Sequence, residues 1–458
     1  VDSVLKDSLL SFLYKKKKKI RKKIRKISSK IKKKLPVAIR IRIISLFLKK
    51  SHPIESSPGK VVMVCPSLDS GGAQRQVVNT LVTLNERLGD IVLLCDFLGQ
   101  ENGYDNGFYL PIVNESGAKA RTIRKGLHKS SNHKLQLRTK WLIELISSKL
   151  AVDVVDLYYE FRELKPEVVH AWLDWSNIRV GLAALLAGVP KIILSGRNVS
   201  PKHFELNVSY FYPIYKVLAR YDDRRVIFIN NSEAGAIDYA DWLGLHHSRI
   251  QVLRNGVSFD PGLKTKSDYM ENIKSRLNIP KSSKIVGGMF RFNKEKNPML
   301  WLETARQILI DDKTIHFVLY GDGPMRVEME GYIKDNDLNG NIHLMGKISP
   351  AIKGLSICEV ILLTSEKEGT PNVLLEAQWL GLPVVTTDAG GAAEAVWDNV
   401  TGIVVHSFDS IAVSNAVKYC LYNKDIKNTA QSKGPMFISE RYGLSRMVQD
   451  TISLYDLN

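Results

Sequence analysis

The sequence predicts an α/β protein built from two Rossmann-like, doubly wound domains facing each other across a cleft, preceded by a basic amphipathic helical segment. Three observations lead there. From Lys60 onward, short uncharged apolar runs alternate with helical patterns; the alternation occurs as two successive series; and the positive charge of the chain is concentrated before it. Strands of a parallel sheet are covered by crossover helices on both faces, so they read as apolar runs without polar alternation.

The first series runs through "KVVMVCP", a helix opening at "GGAQRQVVNTLVTL", then "DIVLLCDF", "EVVHAW", "KIILSG" and "RVIFIN". After "RIQVLRNGVSFD" the second series follows: "KIVGGMF", "IHFVLYGDG", "NIHLMG", "EVILLTS", "LPVVTTDAGG" and "TGIVVH". The expected divisions are 1–59 for the basic segment, 60–262 for a first α/β domain and 263–435 for a second. A helix over 436–458 is expected to pack back on the first domain. Open sheets of this kind bind ligands outside the carboxyl ends of their strands, so the loops after these runs are where chemistry belongs.

The formal charge of +18 suggests nucleic acid only until it is located. Residues 1–60 hold 20 of the 65 Lys and Arg against three acids, leaving 45 basic and 44 acidic groups in the rest. The body is therefore nearly neutral, and a cleft for a nucleic-acid backbone is not expected. Within "YKKKKKIRKKIRKISSKIKKKLP", Ile20, Ile24, Ile27, Ile31 and Leu35 recur at helical spacing in a field of lysine. Such a helix can lie among headgroups with its isoleucines in the acyl boundary, each nearby cation adding on the order of 1 kcal/mol on an anionic surface. "VAIRIRIISLFLKK" supplies a second apolar, basic-edged stretch, so residues 9–50 are the expected contact with an anionic membrane surface; a solvated linker or partner helix is the plainer alternative. The four cysteines, Cys65, Cys95, Cys358 and Cys420, are widely separated and form no zinc spacing. With no run of 18 uncharged apolar residues and no secretory pattern, a reduced, cytoplasmic protein, peripheral on the inner face of the plasma membrane, is expected.

Several strand ends carry chemistry-bearing residues. In "PSLDSGGAQRQ", Gly71 and Gly72 would let a backbone and a helix N-terminus approach a phosphate, although a Gly-Gly turn is commonly only a turn. In "GGMFRFNKEKN", Arg291 and Lys296 are two cations suited to a diphosphate, against the reading of a solvated loop. Gly321 and Gly323 of "GDGP" form a tight turn that could admit a flat base. In "SEKEGTPNVLLEAQWLG", Glu368 lies in the loop and Glu376 about a turn inside the helix that begins near Asn372, so the two acids flank exposed N–H groups. Glu394, in "DAGGAAE", complements a helix dipole whether or not it binds anything. "DND" at 335–337 has the look of a metal-binding Asp-x-Asp, but its setting favours a turn.

Taken in order, "SGGAQRQ", "RFNKEKN", "YGDGP" and "EGTPNVLLEAQWLGLPVVTTDAGGAAEAV" resemble the family 4 retaining glycosyltransferases of GT-B fold, from about residue 60 onward and most strongly between 284 and 406. The resemblance implies transfer of a sugar from a nucleotide-sugar donor to an acceptor hydroxyl with retention, requiring no metal and no other cofactor. It implies that Gly71 and Gly72 approach the diphosphate, that Arg291 and Lys296 neutralise it, and that Glu368 meets the sugar and Glu376 the ribose. Thr370 and the amides of Asn372 and Val373 would join the donor site, with Gly321 and Gly323 beside it. The family often has a histidine where this chain reads "ILSGRNVSP"; Arg197 stands there instead and could donate to the sugar or to the phosphate. His170 is a candidate to face the acceptor, with a core histidine as the alternative, and Asp69 is a weaker one. The expected partners are a nucleotide sugar, with UDP as the base and an N-acetylhexosamine or its uronic acid as the sugar, and a glycan or lipid-linked acceptor of a bacterial capsule or lipopolysaccharide. A non-catalytic sugar-binding relative and a GT-B-fold nucleotide-sugar epimerase are the alternatives.

Overall fold

Apolar runs flanked by helices fold here into two parallel sheets. A computed structural model describes residues 54–101, 104–126, 148–204, 208–221, 224–258 and 267–457; the basic segment, up to residue 53, lies outside the described residues. The first domain comprises β1 (Ser57–Cys65), α1 (Gly72–Leu88), β2 (Ile91–Cys95), a ribbon of β3 (Gln100–Glu101) and β4 (Tyr104–Asp105), α2 (Leu110–Glu115) and β5 (Lys119–Thr122). It continues with α3 (Ser148–Leu164), β6 (Pro166–Trp172), α4 (Asp174–Ala187), β7 (Lys191–Ser195), α5 (Val208–Leu218), β8 (Val226–Asn230), α6 (Glu233–Leu243) and β9 (Ile250–Val252). Its seven-stranded sheet has the order β5-β2-β1-β6-β7-β8-β9, every pair parallel.

The second domain holds α7 (Ser267–Arg276), β10 (Ile285–Met289), α8 (Pro298–Asp311), β11 (His316–Tyr320), α9 (Arg326–Asp335), β12 (Ile342–Gly346), α10 (Ala351–Leu355) and β13 (Val360–Leu363). It closes with α11 (Asn372–Trp379), β14 (Val384–Thr387), β15 (Gly402–Val405), α12 (Ser410–Tyr422) and α13 (Lys424–Tyr442). The six strands run β12-β11-β10-β13-β14-β15, again all parallel. The order reverses between β1 and β6 in one sheet and between β10 and β13 in the other, and these switch points open the crevices in which such folds bind ligands.

Alternation along the strands supplies two apolar faces. Val62, Val64, Val169 and Ala171 pack under Phe161, Leu182 and Tyr215, whereas Val61, Met63, Cys65 and Val168 face Val77 and Leu81 of α1. That second face is completed by a last helix, α14 (Leu444–Tyr455), whose Met447, Val448 and Tyr455 are buried in it. The chain returns to the first domain where Val257 N donates to Tyr442 O (2.8 Å) and Leu444 N to Val257 O (3.1 Å). The boundary expected at 435/436 falls inside α13, and the crossing is at Gly443.

Asp335 and Asn336 end α9 and Asp337 follows with φ +54°, all exposed, so "DND" is the turn that its setting favours. The four cysteines are free and buried. Among the described residues no helix is long and apolar enough to cross a membrane.

Candidate functional site

The loops after β10 and β13 lie on either side of the second sheet's switch point. Asn297, at φ +47°, turns the first loop into α8 and caps it by accepting from Leu300 N. Thr364 Oγ1 donates to Asn297 O (3.0 Å), which fastens the loops together. Lys296 and Glu368, 72 residues apart, are ion-paired across this junction, and Ser365 Oγ donates to the same carboxylate oxygen at 2.8 Å. Glu368 is only 6% exposed, so its charge is held in place by these two partners. Arg291 is exposed and has no ion pair with a described residue.

The N-terminal end of α11 meets that of α1 across the cleft. Asn372 Nδ2 donates to Gly72 O (3.2 Å), and Asn372 Oδ1 accepts from Gln76 Nε2 (3.2 Å) and Asn255 Nδ2 (2.7 Å). Asn255 also donates to Thr370 O at 3.0 Å. A Cβ on Gly72 would stand 3.2 Å from Asn372 Nδ2, so the glycine permits this approach; Gly71 is crowded instead by Gln74 of its own helix. Glu376 is ion-paired to Arg75 of α1, and Val373 is buried beside it in α11. These contacts make Glu376 part of a bridge between the domains.

A second contact forms where the Glu368 loop touches the loop after β7. A Cβ on Gly369 would lie 2.4 Å from Arg197 O and 2.5 Å from Asn231 Oδ1. Glu394 accepts from Glu233 N (2.9 Å) and Ala234 N (2.7 Å), capping α6 of the other domain, and pairs with Arg254. The acid read as complementing a helix dipole does so for a helix of the first domain.

Arg197 lies over the Trp172 ring, 4.6 Å from its centroid, and donates through Nη2 to Asn255. Burial lowers its pKa to about 9, leaving it protonated at neutral pH. His170 is placed differently from a residue facing an acceptor. It has no exposed surface, stacks on Trp172 (4.8 Å) and meets Tyr455 OH through Nδ1 (2.9 Å). Burial, and then Arg197, push its pKa down to about 3, so it is a neutral core histidine. Gly321 and Gly323 are explained by packing: Cβ atoms there would come within 1.9 Å of Phe290 O and 2.6 Å of Phe292 O. Asp69 Oδ1 is buried with no hydrogen-bond partner among the described residues. Among the described residues no cluster of three or more His, Cys, Asp or Glu could hold a metal.

The structure thus brings together Glu368, Lys296, Thr370, Asn372, Val373, Glu376 and Gly72, with Arg197 alongside. Sequence reasoning missed Arg75, Gln76 and Asn255 as contributors. The first two stood inside the "SGGAQRQ" motif, and Asn255 in "RNG", but their partners lie in the other domain.

Residues 270–435 match the family model described as glycosyl transferases group 1. The "Vi polysaccharide biosynthesis protein VipC/TviE" of Salmonella typhi is 28% identical over 431 residues, covering 88% of this chain and 73% of that protein. An Escherichia coli "UDP-Gal:alpha-D-GlcNAc-diphosphoundecaprenol alpha-1,3-galactosyltransferase" is 27% identical over 274 residues, 58% of this chain and 69% of its own. Among solved structures, Anabaena Alr3699/HepE in complex with UDP superposes with a TM-score of 0.67 at 18% identity, covering 86% of this chain and 98% of that one.

Proposed function

We propose that this chain, which belongs to the group 1 glycosyltransferases and has the GT-B fold, moves a sugar from a UDP-sugar to a hydroxyl of a glycan or lipid-linked acceptor in bacterial surface-polysaccharide synthesis. The observation that carries this is the Lys296–Glu368 pair at the second sheet's switch point, facing the paired N-terminal ends of α1 and α11. The UDP bound by the Anabaena neighbour and the printed activity of the Escherichia coli relative support the choice of donor.

In this reading the bond between the anomeric carbon and the β-phosphate oxygen breaks, and the acceptor oxygen forms the new bond to that carbon. The acceptor's proton leaves with the departing diphosphate. Lys296 and Arg291 meet the negative charge that grows on the leaving group, and the unpaired N–H groups at the start of α11 add to them. Fixed cations so placed do what a divalent ion does elsewhere, which supports transfer without a metal. Glu368 holds hydroxyls of the sugar, Glu376 those of the ribose, and retention follows the resemblance of the motifs. Residues 9–50 hold the body against anionic lipid, where a lipid-linked acceptor resides.

A thermal-shift panel of nucleotide sugars and nucleoside diphosphates, followed by product mass with the best stabiliser, tests the reading. Stabilisation by UDP and a UDP-sugar, with acceptor-dependent release of UDP, is expected. No stabilisation by any of them would sink it, and a new nucleotide sugar formed without acceptor would point to an epimerase.

A further inference from the structure

Arg197 differs from the other cations of the cleft. Lys296 and Arg75 are ion-paired and Arg291 is exposed, whereas Arg197 is partly buried and pairs with no carboxylate among the described residues. Among the described residues its Nε is enclosed with no acceptor, Nη2 donates to the neutral Asn255 amide, and Nη1 has no partner. Beside burial, the group that acts on it is the Cys65 thiol, itself pushed up to about 12 by burial and therefore neutral at pH 7. Taking a guanidinium out of water without an anion is unfavourable, so an arrangement of this kind is completed by a ligand that supplies one.

The guanidinium is also oriented. It rests on Trp172, which stacks on His170, which in turn meets Tyr455 of α14, a column rooted in the core. Trp172 Nε1 is a second enclosed donor without an acceptor among the described residues. On its other side Arg197 is tied to the Glu368 loop: Asn255 links it to Thr370 O, and its own carbonyl abuts Gly369. The cation is thus held at the face of the first domain that meets the loop carrying Glu368.

We infer that Arg197 reads a carboxylate on the donor sugar, so that the donor is a nucleotide hexuronate. This rests on the transferase reading above. The diphosphate has its own cations in Lys296 and Arg291 of the second domain, whereas Arg197 comes from the opposite one, beside the acid assigned to the sugar. A planar carboxylate matches a guanidinium held flat against an indole. A neutral hydroxymethyl group in its place would leave the charge unpaired, and a site built this way rejects the neutral sugar more strongly than an apolar pocket could.

The test compares acid and neutral UDP-sugars of matched configuration, UDP-glucuronate with UDP-glucose, UDP-galacturonate with UDP-galactose, and the N-acetylated pairs. Binding is measured by calorimetry on the full chain, together with UDP alone. For the wild type, at least one acid member should bind tighter than its neutral partner by on the order of tenfold to a hundredfold. Arg197→Gln should bring that pair to within about threefold while leaving UDP affinity unchanged. Arg197→Lys, which keeps the charge and loses the fork, should give an intermediate preference and serves if the glutamine variant fails to fold. A wild type that distinguishes no pair, or prefers the neutral members, overturns the inference. So does an Arg197→Gln variant that loses UDP as strongly as the hexuronate, since the cation would then serve the diphosphate. A wild type that binds neither UDP nor any UDP-sugar overturns the transferase reading as well.

Discussion

Gly369→Ala isolates domain closure from folding. The three atoms nearest to the added Cβ all belong to the first domain: Arg197 O at 2.4 Å, Asn231 Oδ1 at 2.5 Å and Arg197 C at 2.9 Å. Gly369 is not among the glycines with positive φ, so its backbone does not demand glycine, and the nearest obstacles to alanine lie in the opposite domain. Carbon contacts are comfortable near 3.5 Å, so the loops must part by roughly 1 Å. Two of the three obstacles are backbone atoms, which cannot rotate away. Overpacking of this kind costs about 1–3 kcal/mol, here borne by the closed state alone. At 1.4 kcal/mol per decade, kcat/KM should fall by about 5- to 150-fold. Steady-state transfer, calorimetry with UDP and a melting curve on the same variant make the assay. Turnover should fall while UDP affinity, whose contacts in this reading do not include Gly369, and the melting temperature stay close to wild type. Undiminished turnover refutes the closed contact, and a melting point lowered by many degrees shows that the glycine supports its own domain instead. Gly391 is a poorer probe, since a Cβ there meets Gly369 O of its own domain as closely as Ser232 of the other.

Four further outcomes are expected. Glu368→Gln should abolish transfer with a near-normal melting curve, and normal rates would contradict its role. Arg75→Ala removes the bridge to Glu376 and should widen the ligand-free particle in small-angle scattering without weakening UDP; a loss of UDP affinity beyond about threefold would make Arg75 a donor ligand instead. His170, pushed down to about 3 by burial and then by Arg197, has a folded value below its unfolded one near 6.5. Its stabilising contribution is therefore complete above pH 6.5 and is lost as the pH falls toward 3, about 2 kcal/mol by pH 5; His170→Gln should flatten the melting profile between pH 6.5 and 5, and parallel profiles would count against it. Removing residues 1–50 should release the protein from anionic vesicles while sparing turnover on a soluble acceptor, and unchanged sedimentation would rule out the membrane role.

The double sheet was legible because strands covered on both faces leave an apolar signature that little else imitates. Glu368 and Lys296 were legible for a related reason: in open parallel sheets a charge after a strand stands at the ligand crevice, and the two are indeed in contact. The bridge between the domains was not. Arg75 and Glu376 are 301 residues apart, Asn255 and Asn372 117 apart, and no local pattern announces a partner at such distances. His170 shows the same limit from the other side. Strand periodicity puts it on one face with Val168 and Trp172, but what covers that face is Tyr455, 285 residues onward, and this turns an apparent cleft histidine into a core one. The glycines of "GDGP" suited a base loop equally well until their packing against Phe290 and Phe292 accounted for them.

The pairing of charges bears on how the cleft works. The two acids assigned to the donor are each engaged by a cation, Glu368 by Lys296 within one domain and Glu376 by Arg75 across to the other. A donor of the proposed class must therefore take Lys296 partly from Glu368 to reach the diphosphate, and must displace Arg75 to bring its ribose to Glu376. The first exchange stays inside a single domain: the phosphate takes the place of Glu368 at Lys296, and Ser365 Oγ remains as donor to the carboxylate. The second breaks a link that holds the domains together, and a ribose, being neutral, leaves Arg75 without a counter-charge. Opening of the cleft is thus tied to the ribose and neutralisation to the diphosphate. UDP and inorganic pyrophosphate should differ accordingly, UDP expanding the particle on binding at Glu376 and pyrophosphate leaving it closed; equal scattering profiles for the two would refute this division of labour.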